Sequence, residues 1–96
     1  MGIEELLADK RREILAITER YGAANVRVFG SVVRGEANEN SDIDFLIEPN
    51  PDWSLLDLIG YKQDLEALLG RPVDVVTEEG LHQRIKARVL REAVPL

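Results

Sequence analysis

Two short runs rich in β-branched and aromatic residues, Val26-Arg27-Val28-Phe29 and Ile43-Asp44-Phe45-Leu46-Ile47, flank a segment, Gly30-Ser31-Val32-Val33-Arg34-Gly35, that opens and closes on glycine. Runs of this composition read as strands. The chain therefore turns at a glycine directly out of one strand and enters the next beside two acids, Asp42 and Asp44. Side chains two apart on a strand point to the same side of the sheet, roughly 6.5–7 Å from each other. Asp42 and Asp44 are expected to project together, opposite Ile43. Two carboxylates on one face repel unless a cation lies between them, and Mg²⁺ prefers a few carboxylate oxygens completed by phosphate oxygens and water. The plainer account makes one Asp a turn cap and the other a solvated strand residue, and a bare Asp-x-Asp does not decide between the two.

The upstream segment tilts the balance. Gly30 lets backbone N–H groups approach an anion closely, and the Ser31 hydroxyl adds a donor. Arg34 carries a planar, permanently charged fork suited to phosphate, and Gly35 ends the turn. Each is ordinary alone; in order, strand, Gly-Ser, Arg-Gly, polar loop and Ser41-Asp42-x-Asp44 form a rarer arrangement. A third acid, Asp74, lies inside another β-branched run, Pro72-Val73-Asp74-Val75-Val76-Thr77. There an ionised side chain is costly unless it is paired, metal-bound or turned outward on a half-exposed strand.

In the pattern Gly30-Ser31-x-x-Arg34-Gly35-x5-Ser41-Asp42-x-Asp44, with Asp74 on a later strand, the chain resembles the nucleotidyltransferase fold of the DNA polymerase β superfamily, in its minimal nucleotidyltransferase (MNT) branch. The likeness extends over nearly the whole chain, with no departure at the motif residues. It implies Mg²⁺-dependent transfer of AMP from ATP to a hydroxyl, with pyrophosphate leaving. It further implies an antitoxin that silences a partner HEPN-domain ribonuclease toxin by adenylylating (AMPylating) a tyrosine, in a hetero-oligomer. In the two-metal pattern, Asp42, Asp44 and Asp74 are the expected catalytic and metal-binding residues, holding two Mg²⁺ ions. Asp74 is also a candidate acceptor of the hydroxyl proton. Gly30, Ser31, Arg34 and Ser41 are the expected nucleotide-binding residues.

Other readings predict different behaviour. A binding-only antitoxin would block the toxin by contact and tolerate loss of the acids. Transfer to a small molecule or an RNA end would need an acceptor-binding region for which this chain has little room. A phosphatase of the Asp-x-Asp type needs Thr two residues after the second acid, where Leu46 stands.

Ninety-six residues suit one minimal nucleotidyltransferase domain over 1–96. The acceptor is then expected to come from a partner. A net charge of −6 argues against general nucleic-acid binding, which depends on Lys and Arg. From Glu36 to Asp57 every charged residue is acidic, whereas Arg84, Lys86, Arg88 and Arg91 gather near the C-terminus, as the solvated side of a helix or as a site for an anion or an acidic partner. There is no Cys, which is compatible with the cytoplasm. No apolar run reaches the roughly 20 residues of a membrane span and no signal segment opens the chain. A soluble cytoplasmic protein is the expectation.

Helical spacing of Ile3, Leu6, Leu7, Ile14, Ile17 and Tyr21 predicts a first helix ending at Gly22. A second is expected from Trp53 to Leu69, with Leu55, Leu58, Ile59, Leu65, Leu68 and Leu69 buried, Ser54 as a plausible N-cap and Gly70 as its stop. A third runs from Leu81 to Glu92 on a narrow stripe of Leu81, Ile85 and Val89, with His82 on its solvent side. Tyr61 and Trp53 are expected to pack. The fold class is α+β: a small mixed sheet with helices mainly on one face and the carboxylates clustered on the other.

Overall fold

A computed structural model describes residues 3–38 and 40–96. Residues 1, 2 and 39, and the side chain of Ile3 that the helical spacing placed on the first apolar stripe, lie outside the described residues. The elements follow the order α1 (Ile3–Arg20), β1 (Ala24–Phe29), α2 (Ser31–Arg34), β2 (Ile43–Glu48), α3 (Leu55–Leu69), β3 (Val73–Thr77), α4 (Gln83–Glu92) and β4 (Val94–Pro95). They build one four-stranded mixed sheet in the order β3-β2-β1-β4. β1 runs antiparallel to both β2 and β4, and β2 runs parallel to β3, with α3 as the crossover.

Strand alternation divides the sheet into two faces. Val26 and Val28 of β1, Ile43, Phe45 and Ile47 of β2 and Val73 of β3 form one apolar core with Leu7, Ile14 and Ile17 of α1, Val32 of α2 and Tyr61, Leu65 and Leu69 of α3. On the other face Leu46 packs with Leu81 and Val89, flanked by Phe29, Val76 and Ala93. Three helices thus cover one face and α4 covers part of the other. The residues that alternate with the core positions, Asp44 on β2 and Asp74 on β3, fall on the α4 face.

α3 starts at Leu55, two residues later than its spacing predicts, because Ser54 caps it. The Ser54 hydroxyl accepts from the Asp57 N–H while the Asp57 carboxylate accepts from the Ser54 N–H, a reciprocal capping box. The expected buried face needs correction at this end: Leu55 and Ile59 are exposed, Leu55 to 72%. The first two turns of α3, residues 55–61, are apolar on every side but that of Asp57, so the period alone does not select a face there. Tyr61 selects it. Its ring is fully buried, its hydroxyl shares a 2.8 Å hydrogen bond with Thr18, and it stacks at an angle against Tyr21 and Trp53. Trp53 is tied in by its own N–H, which donates to the Tyr21 carbonyl at 2.7 Å.

Three further differences from the sequence expectations have local causes. The Gly30–Gly35 segment holds one helical turn, Ser31–Arg34, closed by Gly35 in the left-handed conformation and anchored by burial of Val32. α4 begins at Gln83, since His82 is its N-cap, with Nδ1 accepting from the Arg84 N–H; Ile85 of the expected stripe is 38% exposed. The short β4 extends the sheet beyond β1, where the Leu96 N–H donates to the Val26 carbonyl at 3.1 Å. Among the described residues no helix is long and apolar enough to cross a membrane.

Candidate active site

Strand pairing fixes the centre of the site. Asp44 stands opposite Asp74 in the parallel β2–β3 pair and opposite Phe29 in the antiparallel β1–β2 pair. Adjacent strands lie about 4.8 Å apart, so two carboxylates on one face are neighbours by register alone. Asp42 is expected on the same strand face, but it sits just outside β2 on the incoming loop and is exposed. Burial pushes the Asp44 carboxyl up to about 6, helped by the negative charges of Asp74 and Asp42, then Glu92, and opposed by Arg34.

Gly30 follows β1 immediately and abuts Asp44. A β-carbon there would collide with the Asp44 carboxylate, and the backbone takes φ +80, a region that side chains rarely tolerate. Glycine at 30 is therefore required twice over, by conformation and by space. Ser31 opens α2 and Arg34 closes it, which brings both to the same end of the sheet as Asp44. Ser41 is placed differently: its hydroxyl accepts from the Asn38 N–H at 3.0 Å and its own N–H donates to the Asn38 carbonyl, so it closes the loop before β2.

Glu92, at the end of α4, is the residue that sequence reasoning missed. One carboxylate oxygen accepts from the Gly30 N–H at 2.8 Å and the other from Arg34 Nη1 at 2.7 Å. Burial alone would raise the Glu92 carboxyl, but the hydrogen bonds from Arg34 and Gly30, with the charges of Arg34 and Arg88, hold it below the ordinary range. Arg34 in turn is raised, first by Glu92 and then by Glu36, whose carboxylate accepts from Nε at 3.4 Å.

A glycine turn, an arginine fork and strand-borne acids on one sheet face form a frame for phosphate chemistry, and the comparisons with known proteins agree. The family model for a nucleotidyltransferase domain matches residues 11–96. The chain belongs to this family. Like its members, this nucleotidyltransferase is a transferase enzyme. It is similar to the protein adenylyltransferase MntA of Thermococcus cleftensis, with 45% identity over 92 residues, 96% of this chain and 90% of that one. A solved candidate minimal nucleotidyltransferase superposes with a TM-score of 0.85 at 50% identity, covering 96% of this chain and 94% of its own. A toxin–antitoxin crystallised with AMP-PNP superposes with a TM-score of 0.74 over 88% of this chain and 69% of that one; at 20% identity the likeness is one of fold.

The family's chemistry raises the question of a metal. Among the described residues, no group of three or more His, Cys, Asp or Glu side chains stands close enough to hold one. The donor chemistry nevertheless fits Mg²⁺, which takes hard oxygens and completes its shell with phosphate and water. Burial is the main cause of the rise at Asp44, and the repulsion from Asp74 and Asp42 that adds to it is the kind a divalent cation relieves.

Proposed function

We propose that this nucleotidyltransferase moves AMP from ATP onto a hydroxyl of a partner protein, and so acts as the antitoxin of a toxin–antitoxin pair. The observation that carries the reading is the register of Asp44 with Asp74 beside Gly30, on the sheet face opposite the core. Its protein setting is supported by the near full-length similarity to the adenylyltransferase MntA. The partner class follows the family resemblance: a HEPN ribonuclease toxin, with a tyrosine hydroxyl as acceptor, in the cytoplasm. The whole described chain serves as one domain in this reading.

In this mechanism backbone amides in the turn that follows Gly30 and the Ser31 hydroxyl grip the β and γ phosphates and orient the triphosphate tail, with Arg34 offsetting charge as pyrophosphate departs. Asp42, Asp44 and Asp74 would hold Mg²⁺, which supplies charge neutralisation at the triphosphate and lowers the pKa of the incoming hydroxyl. The acceptor oxygen bonds to the α-phosphorus while the bond from that phosphorus to the bridging oxygen of pyrophosphate breaks. In this reading Asp74, exposed at the edge strand, accepts the hydroxyl proton.

The test is to incubate the protein with Mg²⁺, α-labelled ATP and its neighbouring gene product, and to follow intact mass alongside an Asp42→Asn, Asp44→Asn double variant. A gain of one or more AMP units on the partner, absent with the variant, is the expected result. Tight complex formation without transfer by either version would favour inhibition by contact alone.

A further inference from the structure

We propose that Glu92 is a positioning residue for nucleotidyl transfer, holding the Gly30 peptide and the Arg34 guanidinium in the orientation that meets the triphosphate. The inference rests on the reading above, in which the turn that begins at Gly30 and the Arg34 guanidinium meet the phosphates, and adds the element that aims them. The Gly30 N–H itself is taken by Glu92, so Gly30 sets the direction of the turn and the Ser31 hydroxyl and the free Arg34 donors reach the ligand.

The geometry is specific. Gly30 caps the single turn of α2 and Arg34 is its last residue, and Glu92 takes one donor from each end of it, at 2.8 and 2.7 Å. A four-residue helix is far below the length that sustains itself, so its orientation must be imposed from outside. Glu92 does this from α4, 62 residues away from Gly30 and 58 from Arg34, with its side chain only 12% exposed. Because Gly30 abuts Asp44 without room for a β-carbon, rotation of the Gly30 peptide would also disturb the carboxylate beside it.

Glu92 aims Arg34 without consuming it. A guanidinium has five N–H donors; Glu92 engages Nη1 and Glu36 engages Nε, which leaves donors for phosphate. A fork already anchored along one edge loses less side-chain freedom when phosphate arrives, and so binds it more tightly.

The experiment compares the protein with its Glu92→Gln, Glu92→Ala, Arg34→Ala and Arg34→Ala/Glu92→Gln variants. Binding of a non-hydrolysable ATP analogue with Mg²⁺ is measured by calorimetry, and steady-state transfer and thermal unfolding are followed in parallel. Glu92→Gln keeps an acceptor for Gly30 but lacks the charge on Arg34. It should weaken nucleotide binding and raise KM roughly tenfold, change kcat by less than about threefold, and unfold near the parent temperature. In the Arg34→Ala background the same change should cost less than about twofold, since its route is gone. A purely structural role would instead lower kcat through the active fraction and leave KM alone. If Glu92→Gln binds nucleotide as the parent does, or its loss persists undiminished without Arg34, the positioning role is overturned and the proposed function stands. If the parent protein itself fails to bind the nucleotide, the proposed function falls and this inference falls with it. Should Glu92→Ala not fold, Glu92→Gln carries the test.

Discussion

The two faces of the sheet are built from the same strands by opposite rules. On β2, Ile43, Phe45 and Ile47 point into the α1/α3 core and are fully buried, while Asp44, between them, points to the α4 side and remains part-exposed. One face is specified by apolar volume throughout; the other combines the small Leu46–Leu81–Val89 cluster with charge and the absence of a side chain at Gly30. A single six-residue strand therefore carries core residues at Ile43, Phe45 and Ile47 and the candidate site's carboxylate at Asp44, with Leu46 beyond it packed under α4, and substitutions at Asp44 and Phe45 should fail in different ways.

The sharpest test of that division is the pair Asp44→Asn and Phe45→Ala. Asp44→Asn should reduce transfer on the order of a thousandfold, about 4 kcal/mol on the barrier, as read in the labelled-ATP assay. It should not lower the unfolding midpoint, because it deletes a carboxylate that burial and two neighbouring acids already penalise. Phe45→Ala should cost about 3–5 kcal/mol of stability in urea unfolding. If Asp44→Asn proved as destabilising as Phe45→Ala, the two faces would not be separable.

Gly30→Ala attacks the seam where the faces meet. The added methyl meets the Asp44 carboxylate in a backbone region foreign to alanine, so stability should fall by about 1–3 kcal/mol. Transfer should fall more than that loss explains, since the shift displaces Asp44. Activity measured at a temperature well below the unfolding midpoint separates the two contributions.

The core face was largely legible in the sequence because periodicity is local. β1, β2, β3 and the C-terminal ends of α1 and α3 follow from alternation, helical spacing and glycine stops, whereas the start of α3 is set by the Ser54 cap. It was least legible where apolar residues surround the helix, as at Leu55, Leu56 and Ile59, which are exposed despite their type; there the choice of face is made by Tyr61 reaching Thr18 across 43 residues. The functional face showed its acids through the Asp-x-Asp spacing and its glycine through the turn. Glu92 gave no signal, because an acid in a basic helix acquires meaning only from partners far away in sequence. The one-turn α2 was hidden for another reason: Val32 and Val33 are β-branched and weak helix formers, and the turn is held by its anchors. The two-residue β4, containing Pro95, falls below any strand pattern.

A smaller effect tests the core face at its margin. Ser54→Ala removes one half of the capping box at the start of α3, and should cost about 1 kcal/mol in unfolding while leaving transfer unchanged, since α3 lies on the side of the sheet away from the acids.

The smallest effect belongs to Asp44 itself and appears as pH dependence. Its folded pKa of about 6 lies above the ordinary 3.8, so the folded protein holds this proton more tightly than the unfolded chain does. The associated stability is full below about pH 4 and is lost as pH rises through about 6. Because solvent reaches the carboxylate, the loss should amount to about 1 kcal/mol or less. Other acids titrate over the same interval, so the informative quantity is the unfolding midpoint of the parent protein minus that of Asp44→Asn, followed from pH 4 to pH 7. That difference should decline with rising pH, and Mg²⁺ added at pH 7 should recover it in the parent alone, because a cation between the acids removes the repulsion that the asparagine variant never had.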